Sequence, residues 1–395
     1  MVFGAMSISI INELLQIFII LLVAGSTTII CIKLFNPIFK HSFPAKWQYL
    51  IRKLALFFYL VPFSFIVQRI TLFLSEQPIV PVESEYYLRE NNLEQYVPFK
   101  VAIVILGIWI LGAVILSTWY LYCYCRFKKE IQKNCLSIPD DSEIYTLFDS
   151  CKKTMGIKKN IKLMYNYELE SPAIVGLFST TIMLPIKEMS DSDLTMVLRH
   201  ELIHFKRNDL WIKFFVLIAS SLHWFNPFVH ILRKEIHKWS ELSCDEEVVK
   251  EMSYIDRKQY GLTILKMTKS SNNKSDSFFV FLSGGKKDLE RRLTMLLKVK
   301  KVSKPILIIG ITFITVTGIV GTTTATWAAQ NTPNVVTNQE VNQIDLNDKK
   351  EEIISNESDV SEIISVKKTD EERFRPEVWE KILSKIKTGE IVWED

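Results

Sequence analysis

Cysteine is scarce in this chain, net charge of either sign is small, and no internal repeat is apparent. Six cysteines occur in 395 residues. Cys31, Cys123 and Cys125 lie in or beside apolar runs, and Cys135, Cys151 and Cys244 lie in the central part. None falls in Ser75–Lys100 or after Gln330, the two segments that the charge pattern below puts outside the cell. That distribution excludes a disulfide-stapled scaffold and fits a reducing compartment. The net charge of +4 identifies no partner. The lysine clusters come without a helix-turn-helix or an aromatic-basic pattern, which argues against direct DNA binding. No basic residue precedes the first apolar run, which argues against a cleaved signal peptide.

Apolar residues are abundant, at 48% of the chain. Four runs stand out: Leu14–Ile32, Leu54–Leu74 with Arg69 near one end, Val101–Cys125 and Pro305–Ala329. Each reaches the roughly 20 residues needed to cross about 30 Å of hydrocarbon. Basic residues set their orientation. Lys33, Lys40, Lys46, Arg52 and Lys53 lie between runs one and two. Arg126, Lys128, Lys129 and Lys133 follow run three, and Lys298, Lys300, Lys301 and Lys304 precede run four. The loop Ser75–Lys100 is weighted towards glutamate. By the positive-inside rule the N-terminus is outside, Arg126–Lys304 is cytoplasmic and the C-terminal tail is outside. This predicts a multi-pass integral membrane protein whose first partner is the lipid bilayer. It has a three-span region over 1–125, a cytoplasmic domain over 126–304, a fourth span over 305–329 and a short external tail over 330–395. The first half of the tail has the composition of a disordered segment. Val378, Ile382, Leu383 and Ile386 mark one face of a short helix near its end.

The central domain reads as mixed α and β, mainly helical. Asn160–Tyr165 and Ala173–Pro185 have strand character, and "AIVGLF" and "TIMLP" around a Ser-Thr-Thr turn predict a hairpin. Ser190–Asp193 supplies N-cap residues for a long helix, along which Leu194, Val197, Leu198, Leu202 and Ile203 recur at helical spacing. That helix carries "HELIH". His200 and His204 are four residues apart, so on a helix they share one face and two imidazoles can hold one Zn²⁺. Glu201 is rotated by about 100° from His200 and reaches the water of such a site without being a ligand. A surface helix with two satisfied histidines is the plain alternative.

A catalytic zinc takes three protein ligands and one open position. On a second helix over Pro227–Lys250, His237, Glu241 and Asp245 recur at steps of four, with Cys244 beside them. All four are chemically competent. Two histidines with a carboxylate form the common hydrolytic set, which puts Glu241 and Asp245 ahead of His237, itself read as a solvated helix-face residue. Between the motifs, Leu210–Phe225 is apolar but only about 16 residues long. A single crossing there would put His204 and Glu241 on opposite sides of the membrane. The run is therefore expected to be a buried or inner-leaflet helix, ending at the breaker Asn226-Pro227. His223 and Trp224 read as part of a packed helix end. Tyr165, Tyr167, His223 and Tyr260 are polar candidates for oxyanion stabilisation, each read first as a packing residue.

"SPAIVGLFSTTIMLP", "RHELIHFKRNDL", "LHWFNP" and "ELSCDEEVV" occur in that order, with apolar runs before and after. Together they resemble the BlaR/MecR-type membrane metallopeptidases, antirepressor signal transducers of β-lactam resistance, over roughly Leu14–Ala329. The resemblance implies a gluzincin-like zinc peptidase with Glu241 as third metal ligand and Asp245 as a supporting carboxylate that orients a histidine. It further implies a BlaI/MecI-type transcriptional repressor as partner, relieved by cleavage of the repressor or a related target, and self-cleavage between the peptidase core and the fourth span. The polar loop Ser270–Ser277 followed by "FFVFL" is the expected self-cleavage region. A homodimer is left open.

The pattern departs from that family at its end. Full-length members carry an external penicillin-binding domain, with an active serine in S-x-x-K and a separate K-T-G. Here "SKIKTG" at Ser384–Gly389 makes both patterns share Lys387, which cannot serve two distant elements. A stimulus is then expected to enter through Ser75–Lys100, the tail or a partner. Two other readings stand beside the signalling protease: a membrane protease for peptide processing, and a non-catalytic receptor whose metal is structural.

Overall fold

The computed structural model describes residues 2–39, 43–63, 66, 96–269, 286–297 and 304–336. The chain begins with α1 (Val2–Phe39), α2 (Ala45–Leu60), β1 (Tyr96–Pro98) and α3 (Phe99–Lys133). Then come β2 (Cys135–Ser137), α4 (Glu143–Thr154), β3 (Lys162–Asn166), β4 (Ala173–Val175) and β5 (Thr181–Pro185). The helices α5 (Asp191–Lys206), α6 (Asp209–Leu222), α7 (Pro227–Val248), α8 (Tyr254–Lys269), α9 (Lys286–Leu297) and α10 (Lys304–Gln330) follow, and β6 (Asn334–Val336) is last. Two compact units result: 1–93 with 102–333, and a smaller one of 94–101 with 334–395. In the smaller, β1 and β6 pair in parallel, with Tyr96 opposite Asn334.

Among the described residues, three helices are long and apolar enough to cross a membrane: Ser7–Pro37, Phe99–Lys133 and Ile306–Gln330. They contain three of the four expected spans. The outward face of α3 carries Ile108, Leu111 and Ile115, each more than half exposed. An apolar stripe of that kind has lipid, not water, as its natural solvent. The α1 helix packs along α2 and α10. Gly25 permits this approach, since a Cβ there would lie 2.5 Å from the Tyr59 ring. Of the remaining expected span, Leu54–Leu74, α2 covers the start; beyond Val61–Phe63 and Ile66 it lies outside the described residues. So do the Ser270–Ser277 loop with "FFVFL", most of Ser75–Lys100, and the tail helix over Pro376–Trp393.

Lys46, Arg52 and Lys53, read from the sequence as loop charges, lie on α2 instead. Arg52 is 1% exposed. Its guanidinium donates to Glu235 at 3.1 Å and Asn36 at 3.2 Å, and sits 4.9 Å from the centre of the Trp239 ring. Such a charge is buried because it is paired and its stem packs.

The larger unit also holds a four-stranded sheet, ordered β2-β3-β5-β4, with β3 and β5 parallel and the outer pairs antiparallel. The expected hairpin is β4–β5. Its turn needs Gly176, at φ +95°, where a Cβ would collide with the Ser179 carbonyl oxygen. The α5 helix lies between two apolar clusters. Leu194, Val197, Leu198 and Leu202 pack on the sheet and α4, while Met196 and Ile203 face α7, α8 and α9. Its start is capped as the sequence predicts, with Ser190 Oγ accepting from the Asp193 amide at 3.2 Å.

Candidate metal centre

His200, Glu201 and His204 sit in the second half of α5, and Glu241 and Asp245 face them from α7. The α6 helix connects the two. At 14 residues it is about 21 Å long, too short for a hydrocarbon core of about 30 Å. It does not separate the motifs, as expected from the sequence. Asn226 caps the next helix, its side chain accepting from the Phe228 amide at 2.9 Å, and Pro227 takes the first helical turn.

The two imidazoles converge. His200 Nε2 and His204 Nε2 lie 3.2 Å apart. Glu241 places one carboxylate oxygen 3.6 Å from His200 Nε2 and the other 3.5 Å from His204 Nε2. The opposite ring nitrogens are occupied. His200 Nδ1 is 2.8 Å from the Tyr260 hydroxyl, which itself donates to Asp245 Oδ1 at 2.8 Å. His204 Nδ1 is 2.7 Å from Asp209 Oδ2. With one proton on each Nδ1, both Nε2 lone pairs and the Glu241 carboxylate point into the same space with no donor between them. That arrangement is repulsive unless a cation fills it, so the donor set fits a divalent metal.

Electrostatics agree. Burial opposes charge on both imidazoles. Cys244, Tyr260 and Asp245 around His200, and Cys244, Glu241 and Asp209 around His204, outweigh it and raise both well above the usual histidine range, so each ring takes a second proton unless a metal ion stands in its place. Burial likewise opposes the charge of Glu241, but His204, His200 and Arg292 hold its carboxyl well below the usual carboxylate range. The pocket takes up positive charge.

Cys244 competes geometrically for the third position, since one donor atom each from His200, His204 and Cys244 lies within 4.8 Å of the others. These three form a possible metal site. The Cys244 thiol, however, donates to the His200 backbone carbonyl at 3.3 Å and is fully buried. Glu241 instead lines the open cavity.

That cavity has a volume of about 730 Å³. His200, Glu201, His204 and Glu241 share it with β4, with Trp211 and Phe214 of α6, and with Tyr120 and Tyr124 of α3. One side of it is the sheet's edge strand. His237 also lines it, with a buried Nδ1 that has no hydrogen-bond partner among the described residues. It is therefore not the solvated residue expected from the sequence: it lies one turn before Glu241 on the face that α7 turns towards the site. Of the oxyanion candidates, Tyr260 is committed behind His200 and Tyr167 is 67% exposed. Tyr165 packs against the sheet core. His223 is fully buried at the end of α6, its Nε2 3.1 Å from the Tyr59 carbonyl.

Two supporting groups escaped the sequence reading. Arg292 of α9 holds Asp245 with two bonds, of 2.7 and 2.9 Å, and approaches Glu241 at 3.4 Å. Asp209 lies inside the "RHELIHFKRNDL" stretch, five residues after His204. A carboxylate just past a histidine motif was a readable signal; Arg292 offered none.

A paired-histidine centre on α5, a carboxylate facing it from α7 and three candidate membrane helices define a membrane protein of metallopeptidase type. The chain belongs to the BlaR1 peptidase M56 family, whose profile matches residues 16–296. It is 35% identical over 164 residues to the regulatory protein BlaR1 of Bacillus licheniformis, a match covering 41% of this chain and 27% of that one. It is 27% identical over 179 residues to the methicillin resistance mecR1 protein of Staphylococcus aureus, covering 44% and 30%. To the BlaR1 regulatory protein of Staphylococcus aureus it is 26% identical over 207 residues, covering 51% and 35%. The matches thus span about a third or less of those relatives' lengths.

Proposed function

We propose that this protein is an integral-membrane zinc endopeptidase with a gluzincin-like, cytoplasmic catalytic domain over 126–304. His200, His204 and Glu241 hold Zn²⁺, Glu201 is the general base, and Asp245 orients His200 together with Tyr260. The observation that carries this reading is the convergence of two imidazole Nε2 atoms and one carboxylate beside Glu201 in a single cavity. Zn²⁺, when bound, supplies Lewis-acid activation of water and of the scissile carbonyl. Glu201 takes the proton of the attacking water and passes it to the leaving amine. The free edge of β4 pairs with an extended substrate strand, as peptides commonly add to sheets. Aromatic walls from α6 and α3 favour apolar side chains next to the scissile bond.

In this reading the peptidase transduces an external signal by cutting itself and a BlaI/MecI-type repressor, relieving transcriptional repression. Two features support self-cleavage. Met267 near the end of α8 and Asp288 near the start of α9 both line the cavity. The segment joining those helices contains the apolar "FFVFL" that the walls would accept. The proposed topology keeps the N-terminus and the 330–395 tail outside, with spans in 1–125 and at 305–329, following the lysine and arginine distribution.

Metal content tests the ligand set. The wild-type chain, purified in detergent, is expected to hold one zinc, and Glu241→Ala to lose it while Cys244→Ser keeps it. Retention by Glu241→Ala with loss in Cys244→Ser would make the cysteine the third ligand.

A further inference from the structure

Tyr49 lies on α2, at the start of the helix that leads into the second apolar run, yet its hydroxyl ends beside the metal centre. It donates to Asp209 Oδ1 at 2.8 Å. The other Asp209 oxygen accepts from Ser240 Oγ at 3.1 Å and lies 2.7 Å from His204 Nδ1. Tyr49, Asp209, Ser240 and His204 are all buried, at 2%, 1%, 0% and 4% exposure. Arg207 Nε, at 3.7 Å from Asp209 Oδ2, is beyond hydrogen-bond range. Its guanidinium instead covers the Tyr49 ring at 4.8 Å, with Lys53 Nζ at 4.1 Å from the same ring.

The backbone turn before Asp209 brings it to this position. Asn208, at φ +56°, is the one non-glycine residue with positive φ among the described residues. It reverses the chain between α5 and α6, so Asp209 swings back to the histidine that precedes it by five residues. Of its two oxygens, one serves His204 and Ser240; the other receives the Tyr49 hydroxyl. A carboxylate that orients a ligating histidine is itself fixed by whatever holds its second oxygen.

We infer that Tyr49 is a positioning residue for the metal centre: it fixes the Asp209 carboxylate that aims His204, and so couples the placement of α2 to the grip of the peptidase on its metal. The coupling is mechanical. The α2 helix packs on α7, the helix that carries Ser240 and Glu241, through Tyr49, Leu56, Ile236 and Trp239 of one apolar cluster. The inference rests on the reading of His204 as a metal ligand.

The test is zinc affinity of the 395-residue chain in detergent, by competition with a chromogenic chelator. Tyr49→Phe keeps the ring and both cation contacts and deletes only the hydroxyl. Affinity is expected to fall about tenfold, at the low end for loss of a group that supports a metal ligand. Asp209→Asn is expected to lose at least as much, and adding Tyr49→Phe to Asp209→Ala to lose nothing more. A structural role alone would lower the melting temperature and leave the zinc dissociation constant of the folded protein unchanged. Wild-type affinity in Tyr49→Phe would overturn the proposal, whatever Asp209→Asn does, as would a further loss when Tyr49→Phe is added to Asp209→Ala. Absence of zinc binding by the wild type would instead overturn the metal reading on which it rests.

Discussion

Replacing Arg292 by methionine should destabilise the peptidase core measurably, and the structure sets the size of the effect. Arg292 Nε and Nη2 hold the two oxygens of Asp245 at 2.7 and 2.9 Å. Asp245 is completely buried. Burial alone would push its carboxyl up; the guanidinium, aided by His200, instead holds it down at about 2. Removing one partner of a buried, hydrogen-bonded ion pair costs about 3–5 kcal/mol. Tyr260 continues to donate to Asp245 at 2.8 Å. The lower end therefore applies, about 3 kcal/mol. For a domain of this size that corresponds to a fall in Tm of about 6–12 °C. Trp239 is buried in the core, so tryptophan fluorescence reports unfolding in detergent. Asp245→Asn on top of Arg292→Met removes the stranded charge and should recover about half of the loss, since contacting residues are not additive. A shift in the single variant below about 2 °C, or a double variant no better than the single, would refute the claim that Arg292 neutralises a buried carboxylate.

Three further outcomes follow. Leu198→Ala, at a fully buried site between the sheet and α5, should cost about 2–5 kcal/mol and be read as a lowered Tm. His223 is pushed down to about 4 by burial, against the bond to the Tyr59 carbonyl. The native state therefore stays neutral where the unfolded chain takes a proton, and stability falls as pH drops below about 6.5 towards 4. Between pH 7 and 5 the share of that loss due to His223 should be about 2 kcal/mol, measured as the difference between wild type and His223→Gln in their change of Tm over that range. Mass spectrometry of the membrane-bound chain should find a cut between Ser270 and Leu282 that is missing in Glu201→Ala; the same cut in that variant would assign it to another protease.

What was legible in the sequence was local. Ser190 and Asn226 announce helix starts because their side chains bond amides two or three residues on. The β4–β5 hairpin follows from two apolar strand-like runs around a short polar turn. The meeting of His204 with Glu241 was deducible because the intervening apolar run is too short to cross. What escaped depends on packing between distant segments. Arg292 lies 47 residues from Asp245, and Tyr49 lies 160 residues from Asp209. No spacing rule links such pairs, because their approach is set by how α2 and α9 dock on α7. His237 was misjudged for the same reason: its helix face is polar in sequence, but that face is the one turned to the cavity. The basic residues of α2 were misplaced because a buried, paired arginine and a loop arginine look alike in one dimension.

The most direct test compares wild type with Glu201→Gln in membranes, measuring bound zinc together with cleavage of the chain and of a co-expressed BlaI/MecI-type repressor. Glutamine keeps the shape of the side chain and removes the base. Zinc in both, with cleavage only in the wild type, is the predicted result. Zinc in both with equal cleavage would contradict the assignment of Glu201 as base, and zinc in neither would contradict the metal centre itself.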